Sequence, residues 1–349
     1  MLDSRKAVIL RAIVREYVRA GVPVGSKALS ESIGLSVSAA TVRNDMALLE
    51  DLGYIQRPHS SAGGVPTDLG YRWFIDNWPG PSWPELPPGQ SQAITRAFER
   101  GFHALEEALD ATSQVLSEVT EAVTVVAAPP SRENRLRRLE LLARSDGRVG
   151  LLLIADTGVV EQGILDVPEL PREPVLVELA MRLNAELSGE VLEAIPDRLR
   201  ADPQGWRARI ADEIDRIVGG GSWERVFRGG TANILSREKF SDLDIAHGIV
   251  GALERPMVIA ALLGEARGAQ DGVADGEERG PFVVLIGHEN PIAQMRACAT
   301  VLASYGADSG ERHGTLAVIG PTRMDYPHTI SAVNLVVRSL SGLLEDLAS

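Results

Sequence analysis

Two neighbouring side chains, Arg43 and Asn44, are of the types that most often form paired hydrogen bonds to base edges in DNA. A guanidinium pairs in this way with guanine, and a carboxamide pairs with adenine, both in the major groove. The residues before them are short, so a helix that carries them is slim enough to enter that groove. We therefore expect five residues to contact double-stranded DNA: Ser38, Ala40, Thr41, Arg43 and Asn44.

A single helix is needed to present these five side chains together. Its buried side is predicted by apolar residues at spacings of four, three and three, namely Val42, Met46, Leu49 and Leu52. Ser36 and Ser38 are suited to cap its start, and Gly53 is suited to end it. A solvent-exposed amphipathic helix of no special function has the same pattern, so the flanking segments must decide between the two interpretations.

The preceding segments supply two more predicted helices. Residues 5–20 carry apolar side chains at helical spacing and are followed by Gly21 and Pro23, which end the helix. Residues 26–33 form a shorter helix, joined to the DNA-contacting helix by residues 34–36. Three helices with a tight turn between the second and the third form a helix-turn-helix, whose last helix lies in the major groove. The flanks therefore favour DNA recognition.

A short hairpin is predicted directly after the third helix. Tyr54 and Ile55 begin a strand, the run SSAGG reverses it, and residues 71–74 offer apolar surface beneath it. Such a hairpin is a wing. Its polar residues are suited to phosphate oxygens, which position a protein on DNA without selecting a sequence: Arg57, His59, Ser60 and Ser61.

Four runs of sequence carry a family resemblance. SAATVRNDMALLEDLGYI, RPHSSAG, VPTDLGYR and, far downstream, GTLAVIGPTRMDY resemble HrcA-type heat-inducible transcription repressors. The resemblance implies a homodimer that binds a CIRCE-type inverted repeat before chaperone genes, with activity modulated by the GroE chaperonin. The family usually has an arginine where this chain has Gly64, so a wing contact made by that arginine is not expected here.

The charge of the chain is unevenly distributed. The 349 residues have a net charge of −13, but residues 1–80 carry 9 Lys and Arg against 8 Asp and Glu. The acidic remainder should repel DNA and suppress non-specific binding. Affinity must then come from a few placed contacts and from two DNA-binding heads in one dimer.

Composition indicates an ordinary globular protein. The chain has no run of 18 apolar residues, and its N-terminus lacks a long apolar segment, so we expect a cytoplasmic protein without membrane association. The single cysteine, Cys298, excludes an internal disulfide and a cysteine-rich zinc site. No cofactor or metal site is expected.

The segment after the wing is predicted to be a spacer. Residues 78–90 contain five prolines, and proline-rich segments tend to extend at about 3 Å per residue, so this one could hold the head roughly 30 to 40 Å from the rest of the chain. Beyond it, apolar residues from Phe98 to Val123 recur at spacings of four and three, which predicts one long helix. That helix either packs on a sheet of its own chain or pairs with its copy in a second subunit.

The remainder predicts an α+β fold. Strands are expected at 136–143, 149–155, 159–167, 282–287, 298–305 and 315–320, followed by a closing helix at 330–347. They should form one sheet that is split in sequence, and the resemblance implies that it is GAF-like. A mainly helical insertion interrupts it, with helices at 174–187, 204–218 and 241–253. Residues 265–280 lack an apolar period and should form a mobile acidic loop.

Five segments are expected from this reasoning. They are a winged helix-turn-helix at 1–77, a proline-rich linker at 78–90, a GAF-like domain in two parts at 91–167 and 252–349, and an inserted dimerisation domain at 168–251. The family resemblance implies that the insertion dimerises. Apolar residues that look exposed in sequence are the candidates for that surface, although local core is an alternative: Trp206, Ile210, Ile214, Trp223 and Phe227.

An enzymatic function is not expected, because the chain lacks a P-loop, a G-x-S-x-G elbow and an H-E-x-x-H pair. Two polar clusters nevertheless follow predicted strands, where a small-molecule pocket opens in some sheet proteins. Their residues either make turn and capping bonds or bind a ligand: His288, Glu289, Asn290, Thr322 and Arg323. The second possibility leaves open an alternative function, a metabolite-sensing regulator with the IclR-like order of domains.

Overall fold

The structure is a computed structural model that describes most of the chain. The described residues are 2–32, 38–59, 62–80, 82–99, 102, 105–129, 134–201, 205–219, 225–234, 243–271, 282–306 and 313–348. The predicted turn at 34–36, Ser60, Ser61 and Trp223 lie outside these residues.

Helices and strands are both abundant, and the described strands pair antiparallel, which confirms the prediction of an α+β fold at this level. The longer helices are α1 (Ser4–Ala20), α2 (Ser26–Ser32), α3 (Ala39–Asp51), α4 (Asp68–Asp76), α5 (Pro88–Glu99), α6 (Leu105–Thr120), α7 (Glu173–Leu187), α8 (Ile195–Arg200), α9 (Trp206–Gly219), α10 (Thr231–Ile234), α11 (Leu243–Leu253), α12 (Pro256–Asp271) and α13 (Tyr326–Ala348). The strands are β1 (Ile55–Gln56), β2 (Val65–Pro66), β3 (Val123–Ala127), β4 (Leu136–Ala143), β5 (Val149–Ala155), β6 (Val160–Leu165), β7 (Val226–Gly229), β8 (Phe282–Ile286), β9 (Cys298–Gly306) and β10 (His313–Pro321).

The buried residues of helices α1 to α3 belong to a large continuous core that also contains buried residues of α6 and α13. Helix α1 begins after Asp3, whose carboxylate accepts from the Lys6 amide, and ends at Gly21 with a left-handed φ of 66°. The apolar stripe of α3 is largely as predicted, with Val42, Met46 and Leu49 buried. The prediction that Leu52 belongs to this stripe was wrong, because Leu52 follows the last helical residue and is 54% exposed.

The hairpin after α3 is very short. Strands β1 and β2 pair antiparallel, with Ile55 opposite Pro66, and α4 begins two residues later. Thr67 caps α4 by accepting from the Gly70 amide at 3.2 Å, and it donates its own hydroxyl to the Gly53 carbonyl at 2.6 Å. The end of α3 and the start of α4 are thereby held together across the hairpin.

The proline-rich segment does not act as an extended spacer. Trp78 and Trp83 stack with ring centroids 5.0 Å apart, and Trp83 meets Phe282 of β8 edge to face at 5.9 Å. Ser331 on α13 donates to the Pro84 carbonyl at 2.6 Å. The predicted separation of 30 to 40 Å was wrong, because these tryptophans have apolar surface to bury and fold the segment back onto the sheet.

The predicted long helix is two helices, α5 and α6, and Val123 at its predicted end belongs to strand β3. Helix α6 packs along β3 and α13, with Leu109 and Leu116 fully buried. Of the two alternatives for this segment, packing on a sheet of its own chain is the one observed. The apolar spacing of four and three could not separate a helix from the strand that follows it, since Val123 continues the same count.

The main sheet has five strands in the order β7-β3-β10-β9-β8. Along β3, alternate side chains point to opposite faces, so that Val126 joins the core beneath α6 and α13 while Val125 joins the core beneath α11 and α12. The sheet is therefore covered by helices on both faces. Cys298 lies buried in the second of these cores, where burial raises the pKa of its thiol to about 12.

Strands β4, β5 and β6 form a separate three-stranded sheet. The prediction that they join the later strands in one sheet was wrong. One of their faces carries Leu139, Leu151 and Leu153, which pack with Leu183 of α7 and Ile214 of α9 into an independent core. The insertion into the main sheet therefore begins before β4, well ahead of the predicted boundary at residue 168, and the helices after residue 231 cover the main sheet instead.

Of the four described residues that were predicted for a dimer surface, two are fully buried and two are half-buried. Ile210 and Ile214 are fully buried in the three-stranded domain, and Trp206 packs partly buried against the same core. Phe227 lies in β7, opposite Val126 of β3, and packs against the main core. For Ile210 and Ile214 the alternative of a local core is the one observed, because a helical apolar stripe does not tell whether its own sheet or a partner subunit covers it.

Two further findings concern the later helices. Helix α12 continues to Asp271, so the first part of the predicted acidic loop is helical, and residues 272–281 lie outside the described part. Among the described helices, none alone is long and apolar enough to cross a membrane; the bent pair Ile245–Leu253 and Met257–Gly264 passes a test of length and composition together.

Candidate nucleic-acid interface

Helix α3 presents the predicted DNA-contacting residues on its outer side. Ala40, Arg43 and Asn44 are exposed, and Thr41 is half-buried. Between described residues, the side chains of Arg43 and Asn44 have no hydrogen bond or ion pair, and both side chains are exposed to solvent. The opposite side of the helix is buried through Val42, Met46 and Leu49. One helix thus separates a core-facing stripe from a polar face that has the donor types suited to base edges.

Ser38 has a structural task in this arrangement. It is the N-cap of α3, and its Oγ accepts from the Thr41 amide at 3.2 Å. The Oγ atoms of Ser38 and Thr41 also lie 3.0 Å apart, within hydrogen-bonding distance. Of the predicted contact residues, these two hydroxyls therefore fix the first turn of the helix, whereas Arg43 and Asn44 are left to project from it.

A half-buried ion pair that was not predicted from the sequence holds α3 against α1. Arg5 donates through Nε to Asp45 Oδ2 at 2.6 Å and through Nη2 to Oδ1 at 3.0 Å. Asp45 is 3% exposed in its side chain and Arg5 is 47% exposed. Asp45 follows Asn44 directly, so this forked pair anchors the inner side of α3 at the point where its outer side carries the base-recognition candidates.

The side-chain hydrogen bond from Arg5 to Asp45 and the attraction between their charges raise the pKa of the Arg5 guanidinium. The Arg5 guanidinium therefore stays charged through the physiological range.

Of the hairpin residues that were predicted to contact phosphates, Arg57 has an ion-pair partner within the chain. Arg57 Nε lies 3.3 Å from Glu50 Oε2 of α3, and the Arg57 side chain is only 23% exposed. His59 is exposed, and Ser60 and Ser61 lie outside the described residues. A phosphate would therefore have to compete with Glu50 for the Arg57 guanidinium.

Gly64 does not lie at an exposed tip of the hairpin. It is buried, and its backbone exchanges two hydrogen bonds with Val24, at 2.9 and 3.0 Å. A Cβ atom on Gly64 would lie 3.0 Å from Ile55 Cδ1 and 3.1 Å from Met46 Cε. The expectation that an arginine at this position adds a DNA contact is therefore not supported by its place in the fold, since its side chain would first have to leave the core.

The two predicted polar clusters follow strands β8 and β10 of the five-stranded main sheet and lie against the N-terminal helices. We call the part of the chain built on this sheet the main domain, and residues 2–80 the head. Glu289 accepts from the Ile286 amide at 2.9 Å, and Asn290 donates to the carbonyls of Gly287 and Cys298, each at 3.0 Å. These bonds agree with the first of the two alternatives from the sequence, in which the polar residues make turn and capping bonds rather than bind a ligand. His288 and Glu289 also contact α4, and Thr322 and Arg323 line a cleft of about 480 Å³ between the two domains.

No metal centre is indicated by the geometry. Within the described ranges, no group of three or more His, Cys, Asp or Glu side chains is placed to hold a metal ion.

Comparison with known proteins decides the family. A family model described as the HrcA protein C terminal domain matches residues 106–330. A heat-inducible transcription repressor HrcA of Streptomyces avermitilis is 38% identical over 355 residues, covering 99% of this chain and 100% of the relative. The chain belongs to the HrcA family. Relatives with the same description from Beutenbergia cavernae and Acidothermus cellulolyticus are each 39% identical, across 99% of this chain. The resemblance found in the sequence is thereby confirmed.

A solved structure shares the fold of this HrcA-family chain. A crystal structure of a hypothetical protein at 2.2 Å resolution superposes with a TM-score of 0.62 at 22% sequence identity, covering 99% of this chain and 100% of that one. The named relatives are transcription repressors rather than enzymes, in agreement with the expectation of a non-enzymatic protein.

Proposed function

We propose that the chain is a homodimeric repressor that binds a CIRCE-type inverted repeat in double-stranded DNA through α3. The carrying observation is the outward side of α3, from which the exposed side chains of Arg43 and Asn44 project, while Asp45 anchors the buried side of the helix. A helix whose inner side is fixed presents its outer side chains in one geometry. Paired contacts to bases require such a geometry.

We infer that the N-terminal domain is a winged helix-turn-helix and that β1 and β2 form its wing. Helices α1 to α3 share one core with the hairpin, and Ile55 of β1 packs into that core. On this arrangement, His59 and Arg57 approach the phosphates beside the groove that α3 enters. We further propose that the five-stranded domain is the GAF-like domain of the family.

Charge supports two heads rather than one. Residues 1–80 carry only one more basic than acidic residue, whereas the chain as a whole has a net charge of −13. A head with so little excess charge releases few counterions and binds DNA weakly alone. Joining two heads makes the second contact intramolecular, which raises the affinity for a two-fold symmetric site by about 10²- to 10⁴-fold.

Our proposed dimer surface is the face of the three-stranded sheet that points away from α7 and α9 and that no described helix covers. Leu142, Gly150 and Ile164 lie side by side in register on this face, and Val160 continues it along the edge strand β6. Leu142, Val160 and Ile164 are between 37% and 50% exposed. A second copy that covers these side chains would remove apolar surface from water, in keeping with the dimerising insertion of the family.

The GroE chaperonin is the proposed modulator of this repressor. Support comes from family membership, since the relatives are described as heat-inducible. In this proposal GroE raises the fraction of repressor competent to bind DNA, and proteins damaged by heat draw GroE away.

A metabolite-sensing regulator is the second candidate function. A cleft of about 850 Å³ lies between the head and the main domain, lined among others by Arg15, Trp78, Arg323 and His328. Its size falls in the range of small-molecule sites. A compound that fills this cleft and releases operator DNA without chaperonin would favour this candidate over the first.

The proposed function is tested by binding of the full chain to three DNAs of equal length. These are an inverted repeat, a single half-site and a scrambled sequence, each titrated by fluorescence anisotropy at the same salt concentration. We expect the inverted repeat to bind about 10²-fold more tightly than the half-site. Equal affinity for all three would contradict the proposal. Adding GroE to a partly active preparation should raise the active fraction without changing the intrinsic affinity.

A further inference from the structure

A compact cluster joins the N-terminal head to the main domain. We call Asp68, Arg72, Gly287, His288 and Glu289 the docking cluster. Arg72 of α4 donates to both carboxylate oxygens of Glu289, through Nε at 2.9 Å and through Nη2, and Nη2 also donates to the Val284 carbonyl. A guanidinium shared between a carboxylate and a strand carbonyl fixes both the position and the direction of α4.

Asp68 supplies the second half of the cluster. Its Oδ2 accepts from the His288 amide at 3.0 Å and lies 2.9 Å from His288 Nδ1. Gly287 makes this close approach possible, because it has a left-handed φ of 52° and a Cβ atom there would lie 2.0 Å from Asp68 Oδ2. The loop after β8 is therefore shaped to receive the first turn of α4.

Apolar contacts extend the same interface. The rings of Tyr71 on α4 and Tyr326 on α13 lie 5.7 Å apart, and both side chains are buried. At the end of α1, Gly21 is approached so closely by Arg323 that a Cβ atom would lie 3.2 Å from Arg323 Nη1. Helices α1 and α4 thus both contact the main domain, so the head cannot rotate about one contact point.

Electrostatics favour the docked state. Burial acts to lower the pKa of Arg72, but its hydrogen bonds to Glu289 and the charges of Glu289 and Asp76 outweigh that effect and raise the pKa. Arg72 is 27% exposed in its side chain and Glu289 is 35% exposed, so the pair is partly shielded from solvent. Partial shielding makes the pair stronger than an isolated surface ion pair.

We propose that the docking cluster determines which spacing between operator half-sites the dimer accepts. This rests on the proposed function, because it concerns a dimer that binds an inverted repeat. A head fixed to its main domain holds α3 at one distance and one rotation relative to the second head. Half-sites follow the helical repeat of DNA, about 10 base pairs per turn, so a fixed pair of heads fits one spacing. A head released from the docking cluster would remain tethered by residues 78–90, and a dimer with released heads would accept many half-site spacings.

The test compares the spacing profiles of the natural chain and its variants, that is, the affinity as a function of the distance between the two half-sites. Affinity is measured for inverted repeats whose half-sites are moved apart or together in single base-pair steps over about one helical turn. For the natural chain we expect affinity to fall by about 10²-fold at a half-turn displacement, to the level of a single half-site. The double variant Asp68→Ala, Arg72→Ala should keep half-site affinity and vary by less than about tenfold across the series, since a tethered head still reaches both half-sites.

Two further variants keep the test independent of folding defects. Glu289→Gln retains an acceptor for the Ile286 amide but removes the charge that holds Arg72, and it should flatten the profile in part. Arg182→Ala removes an exposed Arg–Glu pair on α7 and should leave the profile unchanged. A profile as steep in the double variant and in Glu289→Gln as in the natural chain would overturn the proposal.

A measurement without DNA separates this inference from the proposed function. Spin labels on Lys27→Cys and Arg338→Cys, both at exposed positions, report the distance between head and main domain in dimers diluted with unlabelled chain. We expect one narrow distribution in the natural background and a broad one in the double variant. A distribution of equal width in both would overturn the docking role even if operator binding is confirmed. If the chain binds no inverted repeat but the distributions differ as expected, the proposed function falls and the docking cluster stands.

Discussion

Removing Arg5 should loosen α3 more than removing its partner Asp45. The Asp45 carboxylate is 3% exposed and receives both hydrogen bonds of the Arg5 fork, at 2.6 and 3.0 Å. In Arg5→Ala this carboxylate remains in place without its partner, and a buried acceptor that loses its donor costs about 1–3 kcal/mol. The loss stays below the 3–5 kcal/mol of a fully buried broken pair, because solvent already reaches the half-exposed arginine side.

Asp45→Ala should cost less. The guanidinium of Arg5 is 47% exposed and can turn into solvent, so no buried charge is left behind. The double variant should resemble Asp45→Ala, because the unpaired carboxylate is absent in both.

Hydrogen exchange of the α3 amides, followed by mass spectrometry, measures this difference in the full chain. A loss of 1–3 kcal/mol corresponds to about a 5- to 150-fold fall in protection if α3 opens locally. Arg19→Ala is the control, because it removes an exposed pair with Glu16 on the same helix α1 and should change protection little. Equal losses in Arg5→Ala and Asp45→Ala, or a larger loss in the second, would refute the reasoning.

Three further outcomes are expected. Arg57→Ala should weaken binding to specific and random DNA alike and reduce the salt slope by at most about one per half-site, whereas Glu50→Gln, which frees Arg57, should tighten both in the same titrations. Gly64→Arg should lower the midpoint of thermal unfolding, at a cost of about 1–3 kcal/mol, without tightening DNA binding, because Ile55 and Met46 must move to admit a side chain. Ile164→Asp should give a folded monomer in sedimentation velocity, whereas Ile214→Asp, at a fully buried position, should reduce the helical circular dichroism; a dimeric Ile164→Asp would rule out the proposed dimer surface.

Local structure was predictable where a sequence pattern is typical of only one kind of secondary structure. The bounds of β4 and β5 match the prediction, because short apolar segments bounded by turn residues are typical of strands and Gly147 and Gly158 adopt the left-handed backbone of tight turns. The outer face of α3 was predictable for a similar reason. Its buried stripe at helical spacing leaves only one side for Arg43 and Asn44.

The sequence did not predict in the same way which elements pack against each other or which distant side chains pair. The apolar residues of β4 to β6 indicate strands with buried side chains, but they are equally consistent with helices or a second sheet as the cover. Ile210 and Ile214 form an apolar stripe that fits a partner subunit as well as their own core, where they lie. Arg5 and Asp45 are 40 residues apart, and neither position has a local signal of its pairing. The polar loop at residues 287–290 resembles a ligand site in sequence because docking a helix uses the same side chains.

The most direct test of base recognition by α3 is competition binding of Arg43→Ala and Asn44→Ala, with Arg182→Ala as the control. Each of the first two should lose about 1–3 kcal/mol on the inverted repeat and almost nothing on random DNA, so that discrimination at one position per half-site is relaxed. Equal losses on the inverted repeat and on random DNA would mean that these side chains contact only phosphates. Helix α3 would then not be the element that recognises the operator.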